Sequence, residues 1–191
     1  MLDYLKLWNL QPNGLLEPRT GDWAWFDHRE NVDAEVLENC IYLSALQFVK
    51  EAAEKIGRFD NIEFLDERAE AICSAVRKHY WRDNCYKSGE YMDERANAFA
   101  VLSGVADKKE YPFIRDILTE NYNCTPYMEY FVLLALCRMG YKTEAYQRMV
   151  KRYTPLVENG NSTLWEDFEI LGTRNHAWSG GALTVLLDYF N

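Results

Sequence analysis

The stretch Val36-Leu37-Glu38-Asn39-Cys40-Ile41-Tyr42-Leu43-Ser44-Ala45-Leu46-Gln47-Phe48-Val49, read on to Gly57, decides the fold. Apolar or small residues recur at Leu37, Cys40, Ile41, Ser44, Phe48, Val49, Ala52 and Ile56. That spacing marks one face of an α-helix. Gly57 predicts the stop, because glycine takes the left-handed conformation that closes a helix. Asp60 with Glu63 three residues later reads as a capping box. Behind it Ile62, Leu65, Ala69, Ile72, Val76 and Tyr80 form a second stripe. So short a link turns the two helices back on each other as an antiparallel hairpin.

The same unit recurs further along. A helix from about Arg95 to Val105 is followed by Asp107-Lys108-Lys109 and another over Tyr111 to Glu120. Thr125 with Pro126 opens the next, Gly140 closes it, and a further helix is expected from Thr143 to about Tyr153. A last apolar helix is expected over Ala177 to Tyr189, and a short one over Asp3 to Trp8. No convincing strand stands out, so the fold class is all-α, built of antiparallel helical hairpins. No repeat of about 34 or about 42 residues appears, which argues against a solenoid of helical repeats.

Composition narrows the function. The chain has 191 residues, 48% of them apolar, which suits one domain with a sizeable core. Lys plus Arg total 21 against 30 for Asp plus Glu, a net charge of −9 that offers nucleic-acid phosphates no attracting field. No run approaches the ~18 apolar residues of a membrane span, and Met1-Leu2-Asp3-Tyr4 has no basic export segment. Neither a nucleic-acid nor a membrane partner is expected. The five cysteines stand singly, without a Cys-x-x-Cys or a histidine at ligand spacing, so no metal site and no cofactor are expected. Lone reduced cysteines on helix faces behave as small hydrophobes and fit a reducing compartment.

The unusual figure is 15% aromatic residues: 13 Tyr, 9 Phe and 6 Trp. Two connections, Asn9 to Asn31 and Leu156 to His176, are long for a compact helical domain. They hold Trp23, Trp25 and Trp165, with Trp178 just beyond, beside Asp22, Asp27, His28, Glu166, Asp167, Glu169 and His176. Aromatic faces next to carboxylates suit a sugar, whose C–H faces stack on rings while its hydroxyls need fixed partners. Two carboxylates can then hydrolyse a glycosidic bond. The plainer reading of each pair is a tryptophan at the core's edge beside a solvated acid. Asn175-His176-Ala177-Trp178-Ser179-Gly180-Gly181 sets His176 at a helix mouth, and its Ser-Gly-Gly lets that helix start pack against a neighbouring backbone. His176 reads either as a donor to substrate hydroxyls or as a capping or core-satisfying histidine. His79 reads as a surface residue, Asp93-Glu94-Arg95 as a helix start, and Glu129 as an acid suited to a helix dipole, a catalytic role being its lesser reading.

Five segments carry a resemblance. They are Gly21-Asp22-Trp23, Arg95-Ala96-Asn97-Ala98-Phe99-Ala100-Val101-Leu102-Ser103-Gly104, Thr125-Pro126-Tyr127-Met128-Glu129, Thr163-Leu164-Trp165-Glu166 and Asn175-His176-Ala177-Trp178-Ser179-Gly180. In this order the chain resembles the α-L-rhamnosidases of glycoside hydrolase family 78, from about Asn13 onward, in the later part of their (α/α)6 barrel. The resemblance implies inverting hydrolysis of terminal α-L-rhamnosides. Glu166 would be the general base and His176 would bind the sugar, with Trp178 and Asp22-Trp23 shaping the pocket.

The family's general acid lies in an acidic Asp-Glu-Arg-x-Gly-Trp stretch in the first half of the barrel. Here Asp93-Glu94-Arg95 is followed by Ala96-Asn97 and comes at the wrong place in the order. Residues 1–191 are therefore expected to form a single all-α segment, the C-terminal part of a catalytic barrel, with the base but not the acid and no turnover alone. The implied partner is a carbohydrate, a rhamnoside. A cut ring of hairpins also predicts an exposed apolar seam and self-association through it. Two other readings stay open, a helical carbohydrate-binding module without catalysis and a helical interaction protein. Whether Asp22, Trp23, Glu166, His176 and Trp178 converge separates them.

Overall fold

A computed structural model describes residues 1–18, 26–160, 162–169 and 172–190. Among them are eight α-helices: α1 (Leu2–Leu5), α2 (Ala34–Lys55), α3 (Ile62–Tyr80), α4 (Glu94–Leu102), α5 (Tyr111–Glu120), α6 (Pro126–Met139), α7 (Lys142–Glu158) and α8 (Gly181–Tyr189). Helices α2, α4, α6 and α8 pack each against the next, while α3, α5 and α7 each back onto the helix before them. The molecule is thus a row of hairpins with one helix of each hairpin inside. Since the inner helices are alternate elements, they run the same way, and their N-termini gather at one end.

Local chemistry sets the boundaries. The Asp33 carboxylate accepts from the Val36 N–H to open α2, and Asp93 does the same for the Arg95 N–H to open α4. Gly57 (φ +70°) and Gly140 (φ +94°) take the left-handed conformation just past α2 and α6. Helix α4 is walled in on every side: each residue from Glu94 to Val101 is buried, charged ones included. Buried charge needs partners. Glu129 of α6 receives Arg148 Nε at 2.7 Å on one oxygen and Arg152 Nη1 at 2.7 Å on the other. Arg148 also reaches Glu94 Oε1 at 3.2 Å and the Asn121 carbonyl at 2.6 Å. Burial alone would raise the Glu129 pKa, but the two guanidiniums hold it below the usual carboxylate range. Glu129 is therefore a structural anion, fully enclosed.

Several expectations are corrected. Of the α2 stripe, Leu37 and Cys40 are buried, but the deep face continues through Leu43 and Leu46, while Phe48 is 61% and Ile56 71% exposed. The last turns of α2 run past the core, and their apolar side chains border an open groove of about 530 Å³ with Met1, Leu2, Ile62 and Leu65. The groove is an exposed apolar surface at one end of the row. At the other, Val157, Leu183 and Leu187 are exposed. The capping box at Asp60 does not form, because a turn donating Ile62 N–H to the Phe59 carbonyl leaves Asn61 as the cap. The box forms instead at Asp107 and Glu110, around a 3-10 turn over Lys108–Glu110. A two-stranded ribbon, β1 (Trp81–Arg82) with β2 (Cys85–Tyr86), was not expected. Its turn residues Asp83 (φ +51°) and Asn84 (φ +62°) are the types that tolerate such a turn. Helix α7 runs on through Pro155 to Glu158, which shortens the second long connection, and α1 ends at Leu5.

A 3-10 turn over Ala177–Gly180 leads into α8, in place of one continuous helix. Here the expected close approach is real at one glycine. A Cβ on Gly181 would lie 2.5 Å from the Tyr130 Cβ of α6, whereas one on Gly180 would meet nothing within 4 Å. Gly181→Ala is expected to cost about 1–3 kcal/mol through the shift it forces on α8. Gly180→Ala should lack that clash, and urea unfolding of the two variants checks the difference.

Candidate active site

The shared end of the inner helices is closed by the loop leading into α2. Arg95, fully buried, holds it: Nη1 donates to Asp27 Oδ2 at 3.0 Å, and Nη2 to the carbonyls of Glu30 (3.1 Å) and Asn31 (3.0 Å). Its Nε donates to Asp93 Oδ1 at 2.7 Å. Asp27 Oδ2 also accepts from the Thr125 N–H at 3.0 Å, and Asp93 Oδ2 from the Asp33 N–H at 2.9 Å. One guanidinium thus ties the loop to the starts of α2, α4 and α6. Helix starts carry partial positive charge, which suits so many carboxylates in one place.

A second loop faces the first. Glu166 N–H donates to the Thr173 carbonyl and His176 N–H to the Leu164 carbonyl, both at 2.9 Å, so residues 164–166 and 173–176 run side by side. The Ser179 hydroxyl donates to the Trp165 carbonyl, and Trp165 is buried. Glu166 Oε2 accepts from the Thr173 N–H at 2.8 Å and from its hydroxyl at 3.0 Å. These two bonds hold the Glu166 carboxyl below the usual carboxylate range, with His176 and His28 adding to the effect. The His176 ring stacks on Trp178 with centroids 3.9 Å apart, and Trp178 also lies against Tyr127 at 5.4 Å and His28 at 6.1 Å.

The loops join across their faces. His28 Nε2 lies 3.3 Å from Asp167 Oδ2, and Arg29 pairs with Asp167 and Glu169. Between them opens a polar cleft of about 570 Å³, whose walls include His28, Arg29, Asn31, Asn123, Glu166 and Asp167. An ionised carboxylate among imidazole, amide and guanidinium groups can accept a proton from water and hold a polyhydroxyl ligand.

A sequence model described as the bacterial α-L-rhamnosidase 6 hairpin glycosidase domain matches residues 1–189. The chain belongs to this family. Solved structures share its fold. A rhamnosidase from Klebsiella oxytoca with rhamnose bound superposes with a TM-score of 0.80 at 20% identity, over 95% of this chain and 39% of that one. The GH78 family rhamnosidase of Bacillus sp. GL1 gives 0.83 at 19% identity, over 98% and 22%. The α-L-rhamnosidase from Dictyoglumus thermophilum gives 0.75 at 18% identity, over 96% and 23%. The chain therefore spans two-fifths or less of the length of these structures. No curated protein matches it.

In this rhamnosidase six-hairpin domain, Glu166 opens on the cleft, whereas His176 and Trp178 stack on each other outside its lining. The His176 backbone is tied to Leu164, and Trp178 lies against His28, which does line the cleft. Asp22 and Trp23 lie outside the described residues. His79 is exposed, as expected of a surface residue. Two contributors were not singled out by the sequence as site residues, Arg95 and Thr173, while Asp27 and Asp167 were noted only as loop acids near tryptophans. Arg95 could have been found, since an arginine inside an Ala-Asn-Ala-Phe-Ala helix has only buried neighbours.

Proposed function

We propose that this domain carries the general-base side of an inverting glycoside hydrolase that removes terminal α-L-rhamnose. The observation that supports it best is the pairing of Glu166 and His176 on one doubled-back loop, with the Glu166 carboxylate tied, kept ionised and opening on a polar cleft. Membership of the family and the fold shared with a rhamnose-bound rhamnosidase point to the sugar. In this reading Glu166 takes a proton from water as its oxygen attacks the anomeric carbon from the face opposite the leaving group. The glycosidic bond breaks, and the leaving oxygen receives a proton from an acid about 6.5–9.5 Å from the base. His176 hydrogen-bonds a sugar hydroxyl, and Trp178 shapes the pocket beside it. That acid belongs to residues outside these 191, so the chain alone forgoes the ~10²–10⁴-fold that acid catalysis supplies.

Two measurements test this. L-Rhamnose, followed by NMR on the 191-residue chain, should perturb Glu166 and the cleft residues, and His176→Ala should weaken binding about tenfold, the loss of one well-made hydrogen bond. Rhamnose that leaves the cleft signals unmoved would overturn the sugar reading. An aryl α-L-rhamnoside should not be turned over by the chain. Turnover that Glu166→Gln abolishes would show that these residues already contain the acid.

A further inference from the structure

We infer that Gly172 and Thr173 are positioning residues for Glu166, seating its Oε2 so that Oε1 alone is left to take the proton. The inference rests on the reading of Glu166 as the base. Three hydrogen bonds join Glu166 and Thr173: the Glu166 N–H to the Thr173 carbonyl, and the Thr173 N–H and hydroxyl to Oε2. Both side-chain bonds fall on the same oxygen. Oε1 makes no hydrogen bond among the described residues, although Glu166 lines the cleft.

Gly172 completes the seat. Its φ of +72° lies in the left-handed region that side chains rarely adopt. A Cβ there would stand 2.6 Å from Glu166 Oε2 and 3.1 Å from Cδ, so the carboxylate packs directly on the glycine. The position thus requires glycine for its backbone and again for its space.

A purely structural role for Thr173 does not account for its hydroxyl. The loop is already closed by the Glu166 N–H to Thr173 bond and the His176 N–H to Leu164 bond, and both survive loss of the hydroxyl. Thr173 is exposed, and its Oγ1 bonds to Glu166 Oε2. The chemical effect has a definite sign. Donors on Oε2 stabilise the carboxylate and withdraw that oxygen from proton transfer, so a proton arriving from water lands on Oε1. Fixed orientation of this kind is what a base needs to meet a water held on one side of the sugar.

Carboxyl-detected NMR titration of the 191-residue chain tests the seat without need of turnover. In the wild type, the Glu166 midpoint should lie below the ordinary glutamate value of about 4.3, and the Thr173 amide proton should shift with that same midpoint. Thr173→Val should raise the midpoint, and Thr173→Ser should bring it back. Gly172→Ala should uncouple the Thr173 amide from the carboxyl. A Thr173 amide indifferent to Glu166 in the wild type, or a midpoint unchanged in a folded Thr173→Val, would overturn the seat. L-Rhamnose addition reports on the base reading separately: a coupled Thr173 and Glu166 that do not respond to the sugar would leave the seat standing and remove its catalytic purpose.

Discussion

Arg148→Ala is expected to be among the most damaging single substitutions in the chain, lowering stability by about 3–5 kcal/mol. The side chain is fully buried and donates to Glu129, Glu94 and the carbonyls of Leu118 and Asn121. Alanine removes the cation and leaves acceptors behind that water cannot reach. Arg152 still holds one oxygen of Glu129, but among the described residues Glu94 keeps no other cation. For a chain of this size the loss corresponds to a fall of roughly 6–20 °C in melting temperature, and urea and thermal unfolding measure it. The same network has a pH signature. The folded pKa of Glu129 is depressed, so its stabilisation is complete above the unfolded glutamate value near 4.3 and is lost as pH falls through the lower folded value. Arg148→Ala should flatten that acid limb. A variant as stable as the parent, with the limb intact, would contradict the assignment.

Arg95→Ala should cost a similar ~3–5 kcal/mol, and its consequence reaches the cleft. It would strip Asp27 and Asp93 of their shared cation and free the Glu30 and Asn31 carbonyls. The loop that forms one wall of the cleft would lose its tie to α4. Limited proteolysis is expected to cut within residues 26–33 in the variant while the parent resists. Arg95→Lys should recover only part of the loss, because one ammonium cannot span four acceptors fixed around a planar fork. Full recovery by lysine would mean that charge alone matters there.

The sequence announces the hairpins because each helix meets solvent on one side, and a half-wetted helix writes its orientation in a stripe. That signal fails where helices stop being half-wetted. Helix α4 is enclosed on all sides, so Glu94 and Arg95 look like a solvated first turn although both are buried. The end of α2 errs the other way, with Phe48 and Ile56 in phase with the stripe but beyond the packed core. Among the candidate site residues, Glu166 and His176 were legible because their motifs place an acid and an imidazole beside tryptophans. The seat was not. Thr173 and Gly172 owe their part to a loop that doubles back over seven residues, and no periodicity records such a contact. Glu129 shows the converse: a helix-start acid that tempts as catalytic is spoken for by two arginines on the other arm of its own hairpin.

The alternation of inner and outer helices also orders how the molecule can come apart. Of the outer helices, α3 leans mainly on α2, whereas α5 touches both α4 and α6, and α7 is tied through Arg148 to α4 as well as α6. Helix α3 can thus loosen most readily as a separate unit. The loop around Asp27 hangs from α4 instead, the most enclosed helix of the row. Partial opening should therefore spread through the outer layer first and spare that wall of the cleft, so amide exchange there would be limited by events close to global unfolding. The protein can breathe at its periphery while the place where a sugar would sit keeps its shape.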